Sequence, residues 1–258
     1  MRLVSAKLSR VLAVASLAAT IATSFSQAIP AATAIPVVLT RSVAAGLSKP
    51  GDAVTARTLQ VLLLPGGRMV PAGTTLAGHV VASTPFRFDA TDYATQTPSM
   101  LSIHFDRIEE RGSATPVNLS LRAIAGPVAS HEAETPYGLD EIDWSATRTL
   151  IGGDTTSPLE KAVLSPHGSI VGYSRSQGIF ARLLASVSAS DPAVVCGANP
   201  AEQSMGVFSA GACGVYGLHG VALEGNGNGD HGTFTLESRE RSVSLPAGTT
   251  ALLEVLAR

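Results

Sequence analysis

Lysine is almost missing from this 258-residue chain: beyond Lys7, only Lys49 and Lys161 occur. With a formal net charge of −2, that leaves no basic stripe for nucleic-acid phosphates and no polybasic segment to hold an anionic lipid surface. Charged residues make up 15%, below the usual quarter or so, while 25 Gly and 15 Pro break the chain often. Frequent breaks favour short strands over long helices. The apolar run at 11–21 falls short of the roughly 20 residues needed to cross a bilayer as a helix, and no later run is longer. No G-x-S-x-G occurs, and no Lys of the processed chain has a Ser three positions before it, so the local serine-nucleophile signatures are absent. A triad assembled from distant residues stays open. The six histidines, His79, His104, His131, His167, His219 and His231, form no H-E-x-x-H and no close pair in sequence, against the usual zinc spacings. No cofactor is expected.

What is present starts with an export signal. Arg2, Lys7 and Arg10 precede the apolar run, and small residues follow to Ser26-Gln27-Ala28, the pattern of a secretory signal peptide over 1–28. Ala32-Thr33-Ala34 offers a second cleavage site, ending at 34. Removing the leader takes three positive charges and moves the formal net charge to −5. Two cysteines remain, Cys196 and Cys213, and in an oxidising compartment the default is a disulfide between them. Closing that loop is worth roughly 3 kcal/mol in the chain-entropy model. Two free thiols or a metal pair are the alternatives, the second lacking further ligands at short spacing.

The phrase "VPAGTTLAGHV" at 70–80 returns as "LPAGTTALLEV" at 245–255. Pro71 with Gly73, and Pro246 with Gly248, suit a turn with Pro second and Gly last, each followed by a strand. The phrase is a strand-entry device, whether it arose by internal duplication or as an inexpensive turn used twice. Leu64-Pro65-Gly66-Gly67 suits a type II turn. Residues 53–64 form a β-rich run with Val54, Ala56, Thr58 and Gln60 on one face. Leu101, Ile103 and Phe105 alternate with Ser102, His104 and Asp106; Val117, Leu119 and Leu121 alternate with Asn118, Ser120 and Arg122. These two runs read as a hairpin joined at Glu109-Glu110-Arg111-Gly112, with Arg122 on the polar face. Phe234 and Leu236 alternate with Thr233 and Thr235 in the tail. Residues 84–98 read as a loop or flap in which Phe86 and Phe88 either anchor a ligand or form a short edge strand. Residues 127–156 read as an irregular connection, and brief helices are expected at 158–163 and 178–187, where Ile179, Leu183 and Leu184 share a helical face.

The fold class is therefore mainly β, an open barrel or sandwich of short antiparallel strands with little helix. Residues 35–126 form a barrel-like domain, and 127–258 a second β-rich half that either completes it or stands apart. Pro50-Gly51-Asp52, the strand through Val61, "VPAGTTLAGHV", "LSIHFDRIEERG" and "PVNLS" together resemble the carboxy-terminal β domain of TrbI-like conjugal-transfer proteins, the scaffold component of type IV secretion channels. The resemblance covers 35–125 and implies a β-barrel-like fold in an envelope setting. It does not carry over the channel role, because those proteins have a cytoplasmic start, a membrane helix and a Pro-rich stalk. "DWSATRTLIGGD" and "FSAGACGVYGLHGVAL" are similar instead to exported bacterial proteins with no assigned activity.

Two further stretches carry candidate chemistry. Asn226, Asn228 and Asp230 in "GNGNGDHG" place oxygens along a loop, as a calcium-binding Gly-Asp repeat would, or form a solvated hairpin loop. Asp140, Glu141 and Asp143 beside Trp144 suit a sugar site with paired carboxylates, or a solvated loop. The expectation is an exported, non-catalytic binding or scaffold protein of the periplasm or exterior, associated with the outer membrane, whose partners are envelope proteins or cell-wall glycans. The alternative is a secreted hydrolase or carbohydrate-binding protein using 140–144. An outer-membrane barrel, with strands of about 9–11 residues and a lipid-facing band, is opposed by the many prolines and the irregular middle.

Overall fold

The computed structural model describes residues 28–64, 67–88, 96–110, 112–134, 147–157, 159–224 and 232–257. The leader at 1–27, Pro65-Gly66, the middle of the 84–98 flap, Asp140 to Trp144 and the loop at 225–231 lie outside these residues. The first run of the chain is β1 (Ala34–Leu39), β2 (Val43–Ala44), β3 (Ala53–Thr58), β4 (Leu62–Leu63), β5 (Met69–Val70), β6 (Thr75–Thr84), β7 (Ser99–Glu110), β8 (Ser113–Pro116) and β9 (Leu119–Ala125). A helix, α1 (Pro127–Glu134), leads into β10 (Arg148–Thr149), β11 (Thr155–Thr156), β12 (Ala162–Leu164), β13 (Ile170–Arg175), β14 (Gly178–Leu183), β15 (Ser186–Val187), β16 (Val195–Cys196) and β17 (Asn199–Ser204). The return is β18 (Gly214–Tyr216), β19 (Val221–Glu224), β20 (Thr233–Ser238), β21 (Ser244–Leu245) and β22 (Thr250–Val255).

The main sheet runs β18-β9-β22-β1-β3-β6-β7-β20-β19, with β8 added to β7. Neighbours are antiparallel except β18 against β9, which is parallel. Its end strands β18 and β19 approach one another, so the sheet nearly closes into a barrel. The last strand, β22, lies between β1 and β9, so strands from both ends of the chain complete one wall. A second sheet, β10-β11-β12-β13-β14-β17, packs outside it.

The burial patterns follow from this layering. On β3 and β20 one residue in two is buried, as expected for strands with one face on the core and one toward water. On β1, β9 and β22 nearly every residue is buried, because the second sheet covers their outer face. Two apolar cores result. Ile35, Val37, Leu101, Phe105, Leu121 and Leu253 belong to the barrel interior. Ala34, Ala123, Ala125 and Leu252 belong to the second core, against Val163, Val171, Ile179 and Phe208. The small alanines let the second sheet approach the barrel backbone.

The repeated turns dock in the same way. Gly73 N donates to Thr58 O at 2.8 Å and Thr58 N to Thr74 O at 2.9 Å; Gly248 N donates to Leu39 O at 2.9 Å and Leu39 N to Thr249 O at 2.8 Å. Each turn thus caps the end of the strand that its own strand pairs with, β3 for β6 and β1 for β22. Gly73 and Gly248 have φ of 77° and 87°, the left-handed region that favours glycine.

Two expectations for the middle of the chain are overturned. Residues 178–187 hold β14, and the 158–163 region leads into β12, not helices. β14 lies between β13 and β17 with Ile179, Phe180, Ala181 and Leu183 buried, so its alternation is blurred and Ile179, Leu183 and Leu184 mimic a helical spacing. The helix falls instead at Pro127–Glu134, inside the stretch expected to be irregular, with Pro at its first position and His131 on it. Strands β6 and β7 reach 10 and 12 residues, with bulges along their pairing.

Arg122 is the third correction. Expected on a polar face, it is the largest fully buried side chain among the described residues. The register of β9 on β22 shifts between Leu121↔Leu253 and Ala123↔Leu252. Arg122 is the extra residue of this β-bulge, so it and Ala123 both point outward. Nε donates to Ala212 O at 3.0 Å, Nη1 to Gly197 O at 2.7 Å and to Glu254 Oε1 at 3.0 Å, and Nη2 to Leu184 O at 2.6 Å. Arg122→Ala is expected to lower unfolding free energy by about 3–5 kcal/mol in urea melts, since it strands buried carbonyls and Glu254. Arg122→Lys should recover only a minor part, because an ammonium lacks the planar fork that reaches all four acceptors.

Candidate functional site

Arg122 organises a segment that carries exposed apolar side chains. Leu184 and Gly197, whose carbonyls take its two terminal nitrogens, are the two stems of a ribbon at 184–197. Between them β15 pairs with β16, Ser186 opposite Cys196 and Val187 opposite Val195. Cys196 is bonded to Cys213, with Cα atoms 5.9 Å apart, tying the descending arm to the segment entering β18. Held at both stems, the ribbon presents Leu184, Val187 and Val195 at 39%, 57% and 58% exposure. The sequence-predicted cysteines are therefore part of an anchored display. Pro71, Gly73, Pro246 and Gly248 lie at the strand-entry turns described above.

The stretches "IGGD" and "FSAGACG" come together beside this anchor. Gly152 and Gly153 have φ of 106° and 102° and close a turn in which Leu150 N donates to Asp154 O at 2.7 Å. Ile151 N donates to Val207 O at 2.9 Å and Ser209 N to Ile151 O at 2.8 Å. Asp154 is buried; its N–H donates to Ser209 Oγ at 2.8 Å, and its Oδ2 accepts from Ala210 N at 2.7 Å. Burial pushes its carboxyl above the usual carboxylate range, opposed by the Ala210 N–H.

One polar constellation was not legible from spacing. His79 on β6 stands opposite His104 on β7, with ring centroids 5.6 Å apart at 50°. Asp106 lies between them, Oδ2 at 3.0 Å from His79 Nδ1 and Oδ1 at 3.6 Å from His104 Nε2. Thr233 Oγ1 on β20 is 3.5 Å from His104 Nδ1. The register shifts between Gly78↔Phe105 and Ala77↔Arg107, leaving Asp106 as a bulged residue. A Cβ on Gly78 would stand 2.2 Å from His104 O, so glycine is required for the strands to meet here. Periodicity places His104 and Asp106 on one face, but the opposition of His79 depends on long-range register. His131, His167 and His219 are distributed elsewhere, and His231 lies outside the described residues.

Grooves are shallow. One of about 620 Å³ runs between Pro30 to Thr33 and Ala198 to Gln203, and another of about 380 Å³ lies beside Tyr173, Arg182 and Glu202 on the second sheet. Phe88 is exposed, while Phe86 N donates to Ser242 Oγ at 3.0 Å and Arg87 pairs with Thr97, so the described ends of the flap are a short bridge. No described helix is long and apolar enough to cross a membrane. No family model, curated protein or solved structure matches the chain.

Two predictions follow from the anchor. Replacing both cysteines by serine should cost roughly 3 kcal/mol, lowering the melting temperature by roughly 6–12 °C for a protein of this size, with reductant producing a similar shift in the parent. A raised folded-state pKa means that the native state holds the Asp154 proton more tightly, so this contribution is present at low pH and lost as pH rises through the folded value. Asp154→Asn, which keeps an oxygen for the Ala210 N–H, should therefore gain stability relative to the parent as pH rises from about 4 to 7. Paired thermal melts across that range check it; a constant difference would rule it out.

Proposed function

We propose that this chain is an exported, non-catalytic binding or scaffold module of the bacterial cell envelope, and that the ribbon at 184–197 is the surface it offers to an envelope protein. The observation that carries the reading is the ribbon's anchoring. A guanidinium holds both stems and a disulfide holds one arm, so the apolar side chains at its surface are presented with little ordering cost on association. The disulfide fits an oxidising compartment, as does the amino-terminal pattern expected for a leader. The resemblance of 35–125 to the TrbI-like β domain supports a scaffold in the envelope. The alternative uses Asp140 to Trp144, outside the described residues, for carbohydrate.

The test is in-cell photo-crosslinking from position 187, with position 47 on another exposed turn as the control. A discrete protein adduct from 187, absent from 47 and lost on Val195→Asp, is expected. Equal labelling from both positions, or recovery of cell-wall glycan alone, would displace this reading, the second in favour of carbohydrate binding.

A further inference from the structure

The His79, His104 and Asp106 cluster lies apart from the ribbon, on the outer face of β6 and β7. Three observations suggest a ligand. First, two imidazoles and one carboxylate form a donor set suited to borderline transition ions such as Zn²⁺, Cu²⁺ or Ni²⁺, and poorly suited to Mg²⁺ or Ca²⁺, which prefer all-oxygen sites. Second, the spacing is close to that of shared coordination. Ligand atoms around tetrahedral zinc, with bonds of about 2.0–2.1 Å, stand roughly 3.3 Å apart; His79 Nδ1 stands 3.0 Å from Asp106 Oδ2, a hydrogen bond that an ion would replace, and His104 Nε2 stands 3.6 Å from Asp106 Oδ1. Two imidazoles on one such ion have centroids roughly 5–6 Å apart, and these rings are 5.6 Å apart. Third, the local backbone is specialised: a bulge falls at Asp106, and Gly78 permits the close strand approach.

All three side chains are partly exposed, so an ion can enter and keep water in its open positions. As they stand the three side chains are not arranged to hold an ion, and no trio of His, Cys, Asp or Glu among the described residues is; Asp106 offers a different oxygen to each ring. Binding therefore requires rotation of the rings and carboxylate. We propose that His79, His104 and Asp106 form an open surface site for one divalent transition-metal ion, with both imidazoles and the Asp106 carboxylate as ligands.

The test is calorimetric titration of the full chain with ZnCl₂ after chelator treatment, together with electron paramagnetic resonance of the Cu²⁺-loaded protein. Expected are one saturable site, coupling of Cu²⁺ to two imidazole nitrogens, and no heat from MgCl₂ or CaCl₂. His79→Ala and His104→Ala should each weaken Zn²⁺ binding by at least about tenfold, and Asp106→Asn by roughly tenfold, while His131→Ala leaves it unchanged. Unaltered affinity in the His79→Ala/His104→Ala double variant would overturn the proposal. So would a parent protein with no saturable Zn²⁺ heat, or a Cu²⁺ spectrum with fewer than two coordinated nitrogens, a result that needs no variant to fold.

Discussion

A guanidinium buried without its hydrogen bonds would carry a desolvation penalty of several kcal/mol, and the organisation around Arg122 follows from meeting that requirement. Its donors are taken by carbonyls from irregular backbone at 184, 197 and 212 and by the Glu254 carboxylate. Those carbonyls belong to segments with few ladder partners, so the arrangement satisfies both sides: the cation finds acceptors, and buried backbone oxygens find a donor. Arg is suited to this because its planar fork addresses several directions from one side chain. The barrel wall, the ribbon stems and the segment next to the disulfide thereby become one unit.

The remaining contacts between barrel and second sheet use the same means on a smaller scale. Gln60, at the end of a barrel strand, accepts from Ile179 N at 3.0 Å and Gly206 N at 2.9 Å and donates to Ile179 O at 2.8 Å. Gln203 accepts from Ala34 N at 2.9 Å. Polar side chains that reach backbone groups of the other layer set its position, while the alanines of the barrel's outer face allow close packing. Directional bonds fix register between layers where apolar contact alone would permit sliding.

Both functional proposals rest on β-bulges. One falls at Arg122, under the ribbon, and the other at Asp106, beside two histidines. A bulge lets a strand keep its apolar side chains inside on both sides of the irregularity: Leu121 and Ile124 about Arg122, Phe105 and Ile108 about Asp106. Alternation already places each charged residue on the outer face; the bulge adds a second outward residue, Ala123 or Arg107, and returns Ile124 and Ile108 to the core.

Alternation, turn chemistry and composition were enough to read much of the barrel: the inward set Leu101, Ile103 and Phe105, the pair Phe234 and Leu236, the strand-entry turns at Gly73 and Gly248, and the general β character. These features are local, arising from a two-residue period and from backbone angles that glycine and proline favour. Strand β14 and the surroundings of Arg122 were misread because packing between layers buries residues that alternation would leave to water: Phe180 in β14, and Arg122 beneath the backbone at 184, 197 and 212. The opposition of His79 and His104, across a long flap, and the convergence of "IGGD" on "FSAGACG" were invisible for a related reason. Each depends on pairing register between distant segments, which is decided by the summed packing and hydrogen bonding of the assembled layers and leaves no periodic trace in the chain.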